Sequence, residues 1–127
     1  MDFPKLDLPN AALKTKLVHG TTQVFDVVRK KYLVLTHEEW VRQHFIHYLN
    51  IAKGYPLGLM GVEKMIKYNH MKTRADIVLY NQQGSPLMIV ECKAPDVKLT
   101  QEAFNQIAKY NSRLRVPLLV VTNGIHA

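Results

Sequence analysis

Two acidic residues and a lysine have the types and the spacing of a metal-dependent hydrolytic site. Asp76 lies near the start of one apolar segment, residues 75–80, and Glu91 and Lys93 lie at the end of the next, residues 87–92. Carboxylate oxygens are ligands that Mg²⁺ prefers. A nearby lysine can orient a water or help deprotonate it, and its positive charge stabilises negative charge on a phosphate. The matching reaction is phosphodiester hydrolysis.

The two apolar segments are predicted to form a β-hairpin. Residues 75–80 and 87–92 are rich in β-branched and apolar side chains, and a six-residue cluster of turn formers separates them. Antiparallel pairing brings the start of the first strand to the end of the second. Glu91 and Lys93 are two apart and therefore share a face, whereas Cys92 points to the other face as a small core side chain. We therefore expect the two carboxylates and the ammonium in one cluster.

A purely structural interpretation of the same residues stays open at this point. Asp76 is also suited to capping beside a turn, and Glu91 with Lys93 could form an exposed ion pair worth less than about 1 kcal/mol. Glu91, however, ends a run of four apolar residues, where an acidic group is costly unless it has a partner or a function. This cost favours the functional interpretation.

A third carboxylate is predicted on the first helix. Thr36 and Glu39 have the spacing of a capping box, so a helix begins there. Glu38 precedes by three, seven and eleven positions the apolar residues Val41, Phe45 and Leu49, which places it on the face turned toward the sheet. An ordinary acid favoured by the helix dipole in the first turn is the alternative for Glu38.

The remaining elements give the order α-β-β-β-α-β. Residues 61–68 read as a strand, Thr100 can cap a second helix that ends before Pro117, and residues 118–122 read as a buried strand. A helix between the last two strands implies a crossover and parallel pairing. The predicted fold class is α/β, with a mixed four-stranded sheet flanked by helices.

Length, charge and cysteine content limit the possible organisation and partners. The 127 residues allow a single domain, with an arm or hairpin over residues 1–35 and a core over residues 36–123. The net charge of +7 favours a polyanionic partner such as nucleic acid. The single cysteine excludes an internal disulfide, and no run is apolar enough for a signal peptide or a membrane span. A cytoplasmic protein without a membrane partner is therefore expected.

Four segments carry a resemblance to a known family. Residues 74–78, 89–95 and 106–110 look like the motifs of the PD-(D/E)xK nuclease superfamily, with Ala75 where the superfamily name has proline. More closely, they are similar to the N-terminal nuclease domain of type I restriction enzyme R subunits, whose E-x-x-v-R-q pattern matches residues 38–43. The resemblance spans roughly residues 35–123, most of the chain.

The resemblance implies a restriction-endonuclease-like core and DNA cleavage that depends on Mg²⁺, with Mn²⁺ as a substitute. It implies Asp76 and Glu91 as metal ligands with Glu38 as the helical glutamate beside them, and Lys93 as the catalytic lysine. The accessory or DNA-binding positions that it implies are Gln106, Tyr110 and Arg42.

Two classes of function follow as expectations. The first is a metal-dependent endonuclease without an ATP motor, since no G-x-x-x-x-G-K-[ST] loop occurs in these 127 residues. Such an endonuclease would act on DNA by itself, as a homodimer, or beside separately encoded restriction subunits. The second is a nucleic-acid-binding or docking module that keeps the fold without cleaving. The presence of both carboxylates and Lys93 favours the endonuclease.

Overall fold

The chain is described by a computed structural model that covers residues 3–68 and 71–126, without the side chains of residues 67, 68, 71–73, 110, 113 and 114. Within this range the elements in chain order are β1 (Thr15–Val18), β2 (Thr21–Asp26), β3 (Lys31–Val34), α1 (His37–His47), β4 (Met60–Tyr68), β5 (Met71–Tyr80), β6 (Pro86–Cys92), α2 (Gln101–Leu114) and β7 (Leu118–Thr122).

The larger sheet has four strands in the order β4-β5-β6-β7. β4, β5 and β6 pair antiparallel, and β6 pairs parallel with β7, with Val90 opposite Val120. The parallel pair follows from α2, which carries the chain back to the starting edge of the sheet before β7 begins. The predicted α/β class, with a mixed four-stranded sheet and the order α-β-β-β-α-β, is confirmed.

Helix α1 covers one face of this sheet. Thr36 caps it, since its hydroxyl accepts a hydrogen bond from the Glu39 amide at 3.0 Å. The helical chain continues through a π-helical turn, Tyr48–Ala52, and stops before Gly54, whose φ of 77° favours glycine. The apolar stripe of the helix packs on strand residues in one core cluster, which includes Val41, Phe45, Leu49, Val62, Ile77, Leu79 and Val90.

A smaller apolar cluster lies on the opposite face of the sheet. It consists of Ile66, Ala75, Val78, Ile89 and Val116. Helix α2 contacts β4 and β7, and Thr100 caps its start by accepting a hydrogen bond from the Ala103 amide at 3.1 Å. Successive residues of β5 and β6 are buried, among them Val78 and Leu79 and Ile89 and Val90, so both faces of these strands are covered. This explains why the strands read as almost continuous apolar runs.

The N-terminal part is more regular than the predicted arm or hairpin. β1, β2 and β3 form a second, antiparallel sheet with β2 in the centre. The segment before β1 also packs on the core, because Leu6 is buried there and the Asp7 amide donates to the Gly124 carbonyl at 2.8 Å. Among the described residues, no helix has the length and apolar content needed to cross a membrane.

Candidate active site

The site forms where the ladder between β5 and β6 ends. The last pair is Ile77 with Val90, so Asp76 and Glu91 follow it on two strands that are no longer bonded backbone to backbone. Asp76 takes over this position with its side chain, since its Oδ2 accepts a hydrogen bond from the Cys92 amide at 2.7 Å. The side chains of Asp76 and Glu91 are hydrogen-bonded to each other. The hairpin therefore brings the two sequence-predicted carboxyl groups into direct contact.

Contact between these carboxyls changes the acidity of Glu91. Burial, the charge of Asp76 and the hydrogen bond between the two side chains together raise the pKa of Glu91 to about 8, whereas the charge of Lys93 acts in the opposite direction. Two carboxylates that share a site cannot both ionise cheaply, so the pair holds a proton near neutral pH. A divalent cation relieves the same repulsion by replacing that proton, and the paired oxygens therefore fit Mg²⁺.

Replacing Glu91 by glutamine is expected to stabilise the metal-free protein increasingly as the pH rises. The folded chain keeps the Glu91 proton up to about pH 8, whereas the unfolded chain releases it near the ordinary pKa of 4.5. Folded wild type therefore loses stability between these two values, and glutamine has no such proton to lose. Urea denaturation in EDTA should show an advantage on the order of 2 kcal/mol at about pH 9.

The matched control is the exposed glutamate on α2, changed by Glu102→Gln. The difference in unfolding free energy between this variant and wild type should stay nearly constant across the same pH range. If the stabilities of the Glu91 variant and of wild type changed with pH in parallel, the pKa of Glu91 would not be raised in the folded protein.

Glu38 reaches the same place from the start of α1. Its side chain is 45% exposed, and its Oε1 accepts a hydrogen bond from Arg42 Nη2 at 3.2 Å. Partial burial raises its pKa, and the charge of Asp76 adds to this, while Arg42 and Lys93 lower it. Glu38 is thus close enough to Asp76 and Lys93 to feel both charges, as expected from its place on the helix.

Lys93 directly follows β6 and is half-buried. Its amide donates to the Thr122 carbonyl at 2.8 Å, which ties the backbone of this residue to the end of β7. Its charge acts on both Glu38 and Glu91. The structure therefore brings together the four groups predicted to do chemistry, Glu38, Asp76, Glu91 and Lys93.

Arg42 joins most of the acidic groups around this site. Its side chain is only 5% exposed. One terminal nitrogen donates to Asp76 Oδ1 at 3.1 Å and to Glu38 Oε1 at 3.2 Å, and the other donates to Glu39 Oε1 at 2.8 Å and to Glu63 Oε1 at 3.3 Å. The guanidinium is committed to carboxylates inside the protein, which makes an accessory, orienting role the one that its surroundings support.

The contacts of Arg42 with Asp76 and Glu38 affect which residues could serve as metal ligands. Within residues 3–68 and 71–126, no group of three or more His, Cys, Asp and Glu side chains is arranged to hold a metal ion. Asp76 and Glu91 are the pair whose contact fits a cation. Glu38 stays a predicted third ligand, and it would have to turn from Arg42 to serve as one.

Glu63 contributes to the site but has no signal in the sequence. Its φ of 52° is left-handed, and the ladder between β4 and β5 skips it together with the facing Asp76. Because of this irregularity, side chains before and after Glu63 lie on opposite faces of the sheet: Val62 packs in the main core and Ile66 in the second cluster. Such a backbone costs roughly 1–2 kcal/mol for a residue with a side chain. The result is a carboxylate directed at Arg42.

Arg29 is the second contributor that the sequence did not reveal. It lies between β2 and β3, where its Nε donates to Asp26 Oδ2 at 2.7 Å and its Nη2 to Glu39 Oε1 at 3.1 Å. Its Nη1 lies 3.8 Å from Glu63 Oε2. Glu39, expected to bond back to the helix cap, turns its carboxylate toward these arginines instead. Arg29 thereby ties the N-terminal sheet to the acidic groups of the site.

The predicted accessory residues of α2 are less closely connected. Gln106 is exposed on the helix, and its side chain makes no hydrogen bond to any described residue. The side chain of Tyr110 lies outside the described part, so its accessory role stays a prediction. Beside Lys93 a cavity of about 270 Å³ opens toward the first turns of α2, and its lining includes Val97, Lys98, Thr100, Phe104 and Ile107.

The fold is that of a restriction-endonuclease-like α/β domain. It has a mixed sheet with two covering helices, and the carboxyl pair lies where the ladder between β5 and β6 ends. The family model described as type I restriction enzyme R protein N terminus matches residues 37–127. The chain belongs to this family, which confirms the resemblance carried by its motifs and indicates a nuclease-type domain. No sequence among the curated proteins matches the chain. The sheet β1-β2-β3 lies before the matched residues.

Proposed function

We propose that the chain is a metal-dependent endonuclease domain that hydrolyses DNA phosphodiester bonds, as part of a restriction system. The observation that carries this proposal is the contact between the carboxyls of Asp76 and Glu91 within the field of the Lys93 ammonium. Buried like charges are unfavourable for stability, and a cation that they bind together gives them a function.

Asp76 and Glu91 are the residues that would hold Mg²⁺, or Mn²⁺ in its place, with Glu38 available beside them. When bound, the ion polarises the scissile phosphate and lowers the pKa of a coordinated water. Its binding requires the proton shared by the carboxyl pair to leave, so metal affinity should rise with pH up to about 8, where Glu91 ionises.

The chain's own groups then orient the reaction and stabilise its charge. Asp76 is held at both oxygens, by Arg42 at 3.1 Å and by the Cys92 amide at 2.7 Å, so its carboxylate enters the reaction already oriented. As an ammonium, Lys93 supplies positive charge where the non-bridging phosphate oxygens become more negative, and it can orient the attacking water; only its neutral amine could accept the proton of that water. The partners proposed with this activity are DNA and, for cutting both strands, a second copy of the chain or a separately encoded restriction subunit.

The test is cleavage of supercoiled plasmid by the purified chain with Mg²⁺ or Mn²⁺. Nicked or linear DNA should form with metal and not in EDTA, and Asp76→Asn should lower the rate by at least about 100-fold. The matched control is Asp96→Asn, which changes an exposed aspartate in the loop after β6 and should cleave like wild type. Cleavage that survives Asp76→Asn would place the activity elsewhere.

One observation favours a second candidate, a docking module that binds nucleic acid without cleaving it. Arg42 occupies oxygens of both Asp76 and Glu38, so an internal cation already neutralises part of the acidic cluster. In that case the plasmid stays intact with every metal tested, and Asp76→Asn binds DNA as wild type does.

A further inference from the structure

The N-terminal sheet concentrates the positive charge of this protein. Between residues 8 and 37 the sequence has five lysines and arginines, Lys14, Lys16, Arg29, Lys30 and Lys31, and a single acid, Asp26. Their net charge of +4 is more than half of the +7 of the whole chain. Asp26 is fully buried and bonded to Arg29. The four lysines are exposed, whereas the one acid of the segment is buried and paired with Arg29.

One face of this sheet presents lysines over aromatic rings. Val24 and Asp26 are buried and alternate along β2 with Gln23 and Phe25, which are turned to the other side. The register places Lys16 opposite Gln23 and Tyr32 opposite Phe25, so these residues share a face with Lys14, whose carbonyl accepts the Phe25 amide. We call this set, Lys14, Lys16, Gln23, Phe25 and Tyr32, the outer face.

The rings hold the ammonium groups in place. Lys16 Nζ lies 4.0 Å from the centroid of the Tyr32 ring, and Lys14 Nζ lies 5.7 Å from that of Phe25. The two rings contact each other edge to face at 5.3 Å. Because the lysines cover the rings, the aromatic faces are not free to stack on bases, and what the outer face offers a ligand is positive charge at fixed positions.

The outer face also has a fixed relation to the candidate active site. Arg29, in the turn between β2 and β3, bonds to Glu39 at 3.1 Å and lies 3.8 Å from Glu63, and both of these carboxylates also bind Arg42. A ligand bound to the sheet is thus bound at a set place relative to Asp76. Of the residues that make this connection, Arg29 precedes the family-matched part of the chain, and Glu39 and Glu63 lie within it.

We propose that the outer face binds the phosphate backbone of duplex DNA outside the cleavage position, an inference that rests on the proposed function. Backbone contacts position a protein on DNA without reading its sequence, and lysines suit this role as point charges. The sheet would enlarge the DNA footprint of the domain beyond the residues that its family shares.

The test measures duplex binding in EDTA, where cleavage is absent, by fluorescence anisotropy over a range of salt concentrations. The variant Lys14→Gln/Lys16→Gln should bind about tenfold more weakly, and its log–log salt slope should be smaller by about 1.8, for two lost phosphate contacts. Arginine at both positions should restore affinity. The matched control is Lys53→Gln, which removes an exposed lysine that lies 5.6 Å from the Tyr48 ring and should bind as wild type does.

The outcomes separate this proposal from the nuclease proposal. Equal affinity and equal slope for the double variant and wild type overturn the outer-face proposal, and plasmid cleavage can still succeed. A plasmid that stays intact, together with weakened duplex binding by the folded double variant, overturns the nuclease and supports the outer face. If the double substitution abolishes binding to anionic lipid vesicles while duplex affinity is unchanged, the face belongs to a membrane surface and the proposal fails.

Discussion

Replacing Lys93 by alanine is expected to lower the rate of DNA cleavage by at least about 100-fold while changing duplex affinity by about threefold or less. The Lys93 ammonium lies close enough to Glu38 and Glu91 for its charge to lower the pKa of both carboxyl groups. Its favourable interaction grows as the phosphate gains negative charge in the transition state, so its loss falls mainly on the rate of the chemical step. Single-turnover cleavage with saturating enzyme measures that step directly.

A second lysine of the same cavity provides the control. Lys98 lines the cavity beside α2 and is exposed, and Lys98→Ala should cleave within about threefold of wild type. If both alanine variants lose the same small factor, the contribution of Lys93 is ordinary phosphate attraction and the catalytic assignment fails. A full rate for Lys93→Ala would exclude it directly.

Replacing Arg42 by methionine is expected to cost about 3–5 kcal/mol of folding free energy, the largest stability effect of any substitution considered. The buried guanidinium binds the carboxylates of Glu38, Glu39, Glu63 and Asp76. Methionine would remove the arginine that holds Glu38 and Asp76 and would leave Glu39 and Glu63 with Arg29. Thermal melting should fall by more than about 10 °C. The deficit should shrink in acid, because protonated carboxyls no longer repel.

Arg74→Met tests whether any arginine beside Glu63 has the same effect. Its side chain is 67% exposed and its guanidinium lies 3.8 Å from Glu63, so the change should cost less than about 1 kcal/mol. A melting temperature for Arg42→Met close to that of Arg74→Met would show that the acidic groups find other partners. Any residual cleavage by Arg42→Met reports how far Asp76 depends on this arginine for its orientation.

Local signals in the sequence were sufficient for the core and for the catalytic hypothesis. Apolar runs bounded by turn formers predicted the hairpin of β5 and β6, and period-two geometry predicted that Glu91 and Lys93 lie on one side of it. The helical period placed Glu38 toward the sheet, and the caps at Thr36 and Thr100 marked both helix starts. Each of these features depends on residues near one another in the chain, which is why it could be predicted.

The N-terminal sheet was harder to predict because β1 and β3 have only four residues each and are mostly exposed or half-buried. Strands this short show little alternation, so residues 1–35 were expected to hold a simple arm or hairpin. The pairing of three strands needs partners that the local sequence does not specify. The lysine-over-ring contacts of the outer face follow from that pairing and were equally hidden.

The amino-acid sequence by itself determined the α/β order, the family motifs and the identity of the carboxyl pair with its lysine. Only the tertiary structure decided that Arg42 and Arg29 hold the surrounding acids and that Glu63 takes part through a left-handed backbone. The reason is physical: secondary-structure periods are set by neighbours a few residues apart, whereas the partner of a buried charge is set by which distant groups share its low-dielectric surroundings.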